Sequence, residues 1–122
     1  MTSPDTFISE PGSNSDNGRP IKVTSTASPG TPFHTAASTG EDVIAVDVVN
    51  TDSVPHTVTI LWGGTTSPDD TIKCTIPPAG TMPPTRVIPG WVLKGSKVAA
   101  AFADTANVLT VVAVIVHRTP GS

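Results

Sequence analysis

The chain is short of charge. Asp, Glu, Lys and Arg make up 14% of its 122 residues, against about a quarter in a typical soluble domain. Seven Lys and Arg stand against ten Asp and Glu, a net charge of −3 at neutral pH. A broad phosphate-binding surface needs clustered cations, so nucleic acid is not expected as a partner. Cysteine occurs once, as Cys74. One thiol excludes an internal disulfide framework and the multi-cysteine zinc patterns. Tyrosine is absent and aromatic residues reach only 4%. The longest apolar run, Val111 to Val116, has six residues; a membrane-spanning helix needs about 20. The first ten residues lack the basic start and apolar stretch of a secretory signal. The expectation is a soluble protein made in a cytoplasm, with no membrane partner.

What is present is Thr (19 residues), Val (15), Pro (13) and Gly (10). β-branched residues favour strands, and Gly and Pro favour the turns between them. The length suits one domain with a single core. Residues 1–19 are rich in Ser, Asp, Asn, Gly and Pro, with Phe7 and Ile8 as the adjacent large apolar pair. Such a segment buries too little surface to offset its ordering entropy. It reads as a flexible or extended leader; the sharper alternative is an arm that orders against a partner, with Phe7 and Ile8 as its anchor.

From Pro20 the pattern alternates. Pro20–Ala27 and Phe33–Ala36 are the first strand candidates. In Asp42–Asn50, Ile44, Val46 and Val48 share one face. In His56–Trp62, Val58, Ile60 and Trp62 point inward and Thr57 and Thr59 outward. Thr71–Ile76 alternates again, with Ile72, Cys74 and Ile76 together. The piece around Arg86–Ile88 is bracketed by prolines, so it is expected to be short and at an edge. Val98–Ala103 is alanine-rich but too short for a stable helix and is read as a strand. The last strand, Asn107–Arg118, is apolar on both faces, as a strand covered on two sides is. One face is assigned to the core. The other, with Leu109, Val111 and Ile115, is assigned together with Trp91 to an oligomer interface. The fold expected is all-β: a single β-sandwich, Ig-like or jelly-roll-like, of about eight short strands over residues 20–118, with an N-terminal arm (1–19) and a C-terminal tail (119–122).

Chemistry is sparse. There are three histidines, His34, His56 and His117, and no zinc-protease, nucleophile-elbow, P-loop or dinucleotide-binding pattern. Asp69-Asp70 reads as a turn, because adjacent strand residues face opposite ways. Cys74 shares its face with two isoleucines and reads as a buried structural thiol. Trp62 is in phase with the core and Trp91 follows a Pro-Gly break; packing is preferred to a sugar platform. The segment Val49–Val58, with His56 after a strand and turn, resembles the first copper-ligand segment of the cupredoxins. A blue copper site also needs a Cys, a second His and usually a Met. Cys74 and Met82 have no histidine between them, so the second half of that motif is missing. No catalytic residue, cofactor or metal is expected, and the chain is not read as an enzyme.

A longer resemblance runs from Pro20 to Arg118. Its pieces are Pro20-Ile21-Lys22-Val23, Pro29-Gly30-Thr31 before Phe33-His34-Thr35-Ala36, and an acidic apolar strand ending in Asn50-Thr51. They continue with Val58-Thr59-Ile60-Leu61-Trp62-Gly63-Gly64, Pro89-Gly90, Ala101-Phe102-Ala103 and Ala106-Asn107-Val108. In this order they resemble a group of small tailed-bacteriophage virion proteins, similar to capsid decoration (cement) proteins. The resemblance implies a structural role on the capsid surface, the major capsid protein as partner, and a homo-oligomer, a trimer or dimer. The alternative it leaves is a tail or fibre module that recognises a host surface glycan.

Overall fold

The computed structural model describes residues 6–80 and 84–120. Nine strands form among them, joined by turns and loops, and no helix. They are β1 (Thr6–Pro11), β2 (Ile21–Lys22), β3 (Thr31–Thr35), β4 (Glu41–Asn50), β5 (His56–Trp62), β6 (Thr71–Ile76), β7 (Thr85–Leu93), β8 (Val98–Ala103) and β9 (Leu109–Thr119). One sheet has the order β1-β9-β4-β7, with β2 also pairing to β9; the other runs β3-β8-β5-β6. Every pairing is antiparallel. We call these sheet A and sheet B. The two pack face to face as a single β-sandwich.

Alternation decides what lies between them. On β4, Ile44, Val46 and Val48 are fully buried; on β5, Val58 and Ile60 are, and Trp62 packs against the same core. The small alanines 99, 101 and 103 of β8 face inward. β8 is held by β3 on one side and β5 on the other. That two-sided ladder overrides the helix preference of alanine.

Several expectations need correction. Leu109, Val111 and Ile115 are buried in the core, so they cannot form an oligomer interface. Both faces of β9 are apolar, and the register with β4 turns the larger Leu and Ile side chains inward. The uncovered face belongs to Val112, Val114 and Val116. The N-terminal segment is not a free arm over residues 6–11: β1 pairs with β9 from Thr6↔Thr119 to Pro11↔Val114. A polar segment gains order here from backbone hydrogen bonds to a strand edge, which composition does not reveal. The same ladder draws Thr119 out of the expected tail and into β9. Finally, the first sandwich strand shrinks from Pro20–Ala27 to Ile21–Lys22. Beyond it the chain crosses between sheets. Val23 N–H donates to Leu109 of sheet A, while Ala103 N–H of sheet B donates to Ser25.

The proline-bracketed piece is also longer than its sequence suggests. β7 passes through Pro89 and Gly90 to Leu93 by means of two register shifts against β4. Gly90 has φ +143°, a conformation that glycine adopts without strain. As an edge strand, β7 tolerates Pro89, which has no N–H to offer. Trp91 lies opposite Ile44 in the register, on the core side. Its ring meets that of Trp62 edge-on, with centroids 6.0 Å apart at 87°, closing the sandwich between β5 and β7. Trp91 remains 43% exposed.

The orientation of β9 is testable. Leu109→Ala is expected to cost ~2–5 kcal/mol in denaturant unfolding, as a buried truncation does. Val114→Ala on the opposite face should stay within about 0.5 kcal/mol. Equal costs would overturn the assignment of faces.

Candidate interaction surface

The outer face of sheet A follows from the registers. Val43, Ala45 and Val49 of β4 point away from the core, as do Val112, Val114 and Val116 of β9. Opposite residues in an antiparallel pair share a face. Val92 therefore stands beside Val43 and Val116, and Pro11 beside Val114 and Ala45. The result is an apolar field across β1, β9, β4 and β7. Val114 is 51% exposed and Val92 49%.

Two ion pairs lie on this face, one at the Glu41 end and one within it, where Asp47 stands opposite Val112 between Ala45 and Val49. Arg86 donates to both carboxylate oxygens of Asp47, Nε to Oδ1 at 2.5 Å and Nη2 to Oδ2 at 3.2 Å. Arg118 Nε donates to Glu41 Oε1 at 2.9 Å. Next to Arg118 on β1 stands Phe7, 64% exposed. Ile8 is 50% exposed but opposite His117, so it overhangs the other side of the sheet. The two expected anchor residues thus flank one edge strand and do not form a single patch.

The histidines form two polar networks. Asp42 is in phase with Ile44, Val46 and Val48, and it is buried. Its Oδ2 lies 2.7 Å from His34 Nε2 and 3.2 Å from the Ala37 N–H; its Oδ1 lies 2.6 Å from His117 Nδ1. His34 Nδ1 accepts the Ser13 N–H at 2.9 Å. That acceptor role places the proton of His34 on Nε2, facing Asp42. Burial opposes ionisation of Asp42, but the bonds from His34, His117 and Ala37 hold its carboxyl below the usual carboxylate range. Gly40, at φ +77°, makes the approach feasible, because a side chain there would collide with the Arg118 carbonyl. The network joins β3 of one sheet to β4 and β9 of the other. It resembles a catalytic triad only in residue types. Ser13 reaches His34 through its backbone N–H, while its hydroxyl accepts from Thr35 N–H.

His56 sits between two carboxylates, with Nε2 2.8 Å from Asp52 Oδ2 and Nδ1 2.9 Å from Asp104 Oδ1. Its pKa is raised chiefly by the bond to Asp52, against burial, with Asp104 adding to the rise. Asp52 is lowered by the same bond and by the Ser53 N–H. With both ring nitrogens occupied, His56 has no lone pair for copper. Met82 of the cupredoxin comparison lies outside the described residues. Cys74 is partly buried against the core. Asp70 accepts the Thr66 N–H at 3.0 Å and closes the loop before β6. Among the described residues, no group of three His, Cys, Asp or Glu side chains is arranged to hold a metal ion.

The networks were missed because their members are scattered along the chain. A local signal did exist: Asp42 occupies a core-phase position, and a buried carboxylate needs partners. The outer apolar field was half visible, as a strand with two apolar faces.

Opposite pH limits follow. His56 is raised on folding, so its stabilisation is fully present below its unfolded value near pH 6.5 and fades as pH rises through the folded value. Asp42 and Asp52 are lowered, so their contribution holds above about pH 4 and fades as pH falls through the folded values. Melting curves against pH should show both limbs; His56→Gln should flatten the alkaline one and reduce the acid one to the share of Asp42, because Asp52 is lowered chiefly by His56. Asp42→Ala leaves the buried His34 Nε2 without its partner and should cost ~1–3 kcal/mol; a loss below about 1 kcal/mol by denaturant unfolding would refute its role as the tie between sheets.

No protein-family model matches the chain, and the search of curated proteins finds no match.

Proposed function

We propose that the chain is a structural virion protein of the capsid decoration type, which docks through the outer face of sheet A onto the major capsid protein. The observation that carries this reading is the uncovered apolar field of Val43, Val92, Val112, Val114 and Val116. A monomer rarely leaves a sheet face so apolar unless another surface covers it. The sequence resemblance supplies the virion context and the partner. The Arg118–Glu41 pair at one margin suits a polar rim, and Asp47 within the face is neutralised by Arg86.

The mechanism needs no covalent step. Each docked copy buries surface that is exposed in the undecorated shell, and binding to the assembled state shifts the assembly equilibrium toward it. Association into a dimer or trimer over the joins between capsid subunits multiplies that effect. Of the residues assigned to the oligomer contact, Trp91 at the β7 edge keeps that role.

Copy number and a face variant test the reading. Mass spectrometry of virions should count hundreds of copies, and purified protein should saturate empty heads. Val114→Glu should keep the fold and weaken head binding by about tenfold or more, the effect of losing a central apolar contact. A few copies per virion would place the protein in the tail and overturn the decoration role. Normal binding by the variant would remove this face from the interface.

A further inference from the structure

The outer face of sheet B differs in kind from that of sheet A. Phe102 of β8, Thr59 of β5 and Lys73 of β6 stand in one cross-strand row. Thr59 is only 8% exposed and Leu61 only 2%, although both point away from the core. They form the floor of a trough. The loop before β3 contributes Thr26 and Ser28 to its walls, and the loop before β6 contributes Thr65 and Ser67. Depressions of about 210 and 270 Å³ share Thr59, Lys73 and Phe102; the second shares Leu61 and Thr65 with a third of about 380 Å³. The three adjoin one another at these shared residues.

The polar groups along this trough are unused. The hydroxyls of Thr26, Ser28, Thr57, Thr59 and Thr65 make no hydrogen bond to another described residue, and Lys73 forms no ion pair among them. Asp104, at one end, is engaged by His56. The trough therefore offers hydroxyls that both donate and accept, one aromatic ring and two ammonium groups, Lys73 on its floor and Lys97 in the third depression.

These features select among ligands. An apolar molecule would leave the hydroxyls desolvated without partners. A nucleic acid needs a row of cations along its backbone, and a chain of net charge −3 sets only Lys73 and Lys97 here. An added peptide strand pairs along a sheet edge, whereas Thr59, Leu61 and Phe102 of the trough floor lie on the internal strands β5 and β8, and only Lys73 lies on the edge strand β6. A saccharide has hydroxyls to match the threonines and serines, and a C–H face to lie on a phenyl ring. A carboxylate on that saccharide would neutralise Lys73.

We propose that the outer face of sheet B binds an acidic oligosaccharide, with its carboxylate on Lys73, a ring face on Phe102 and its hydroxyls on Thr59 and the flanking loops. The site is separate from the docking face on sheet A. It stands whether the chain sits on the head or the tail, and its loss would leave capsid binding intact.

The test is an amide NMR titration of the full chain with trigalacturonate and with sialyllactose. The expected result is saturable shifts from at least one probe, confined to β5, β6, β8 and the two loops. Lys73→Gln, or methyl esterification of the sugar, should weaken binding about tenfold, the share of a charge-assisted hydrogen bond. Thr59→Val, close in shape, should weaken it with an unchanged spectral fingerprint. Phe102→Ala should remove binding. Absence of confined shifts with both probes would overturn the proposal. So would equal affinity for hexaglutamate, which would reduce the site to attraction of any anion by Lys73.

Discussion

Glu41–Asn50 of β4 pairs with Leu109–Arg118 of β9 without a break. Because side chains alternate along a strand, this ladder commits ten residue pairs at once to inside or outside. A slip by one would bring Val43, Ala45 and Asp47 into the core and expose Ile44, Val46 and Val48. The shape of the rest follows from that register. β1 and β2 take successive stretches of the free edge of β9, and β7 takes the free edge of β4. Both the buried face and the apolar outer face of sheet A are products of one pairing.

Polar groups then hold the layers in place. Asp42 lies on the inward side of β4 and reaches His34 in the opposite sheet, a contact that a purely apolar interior would not specify. Asn50 plays a similar part at the far end of β4. Its amide donates to the carbonyls of Val54 and Ile76, and its oxygen accepts the Asp52 N–H. The sandwich is thus stitched at both ends of its central strand, with apolar packing between. Such pairings define how two layers align more sharply than apolar contact does, because each bond tolerates little displacement.

Much of the fold was legible in the chain. The bounds of His56–Trp62, Thr71–Ile76 and Val98–Ala103 were read as they occur, since Gly, Pro and Asp mark both ends of each. The grouping of Ile44, Val46 and Val48 on one face of β4 was also legible, and the structure turns that face inward. The phase of β9 was not, because Val112, Val114 and Val116 are as apolar as Leu109, Val111 and Ile115. Periodicity reports that a strand has two faces, and only its neighbours report which one is covered. β1 was hidden for another reason. Its order comes from main-chain hydrogen bonds, which are blind to side-chain type. The trough on sheet B was equally hidden, since threonines on outward positions look alike until loops fold around them.

One consequence of the irregular β7 concerns how such a protein stays dispersed. It has little charge and many valines, and it leaves an open sheet edge, a combination that invites strand-to-strand growth into fibrils. The two register shifts, at Ile44/Ala45 and Val46/Asp47 opposite β7, coil the edge away from the flat geometry that a second chain would need. Pro89 removes one of the donors on which an added strand would depend. The kinked β7 edge therefore denies a second chain a flat template for pairing on that side of sheet A.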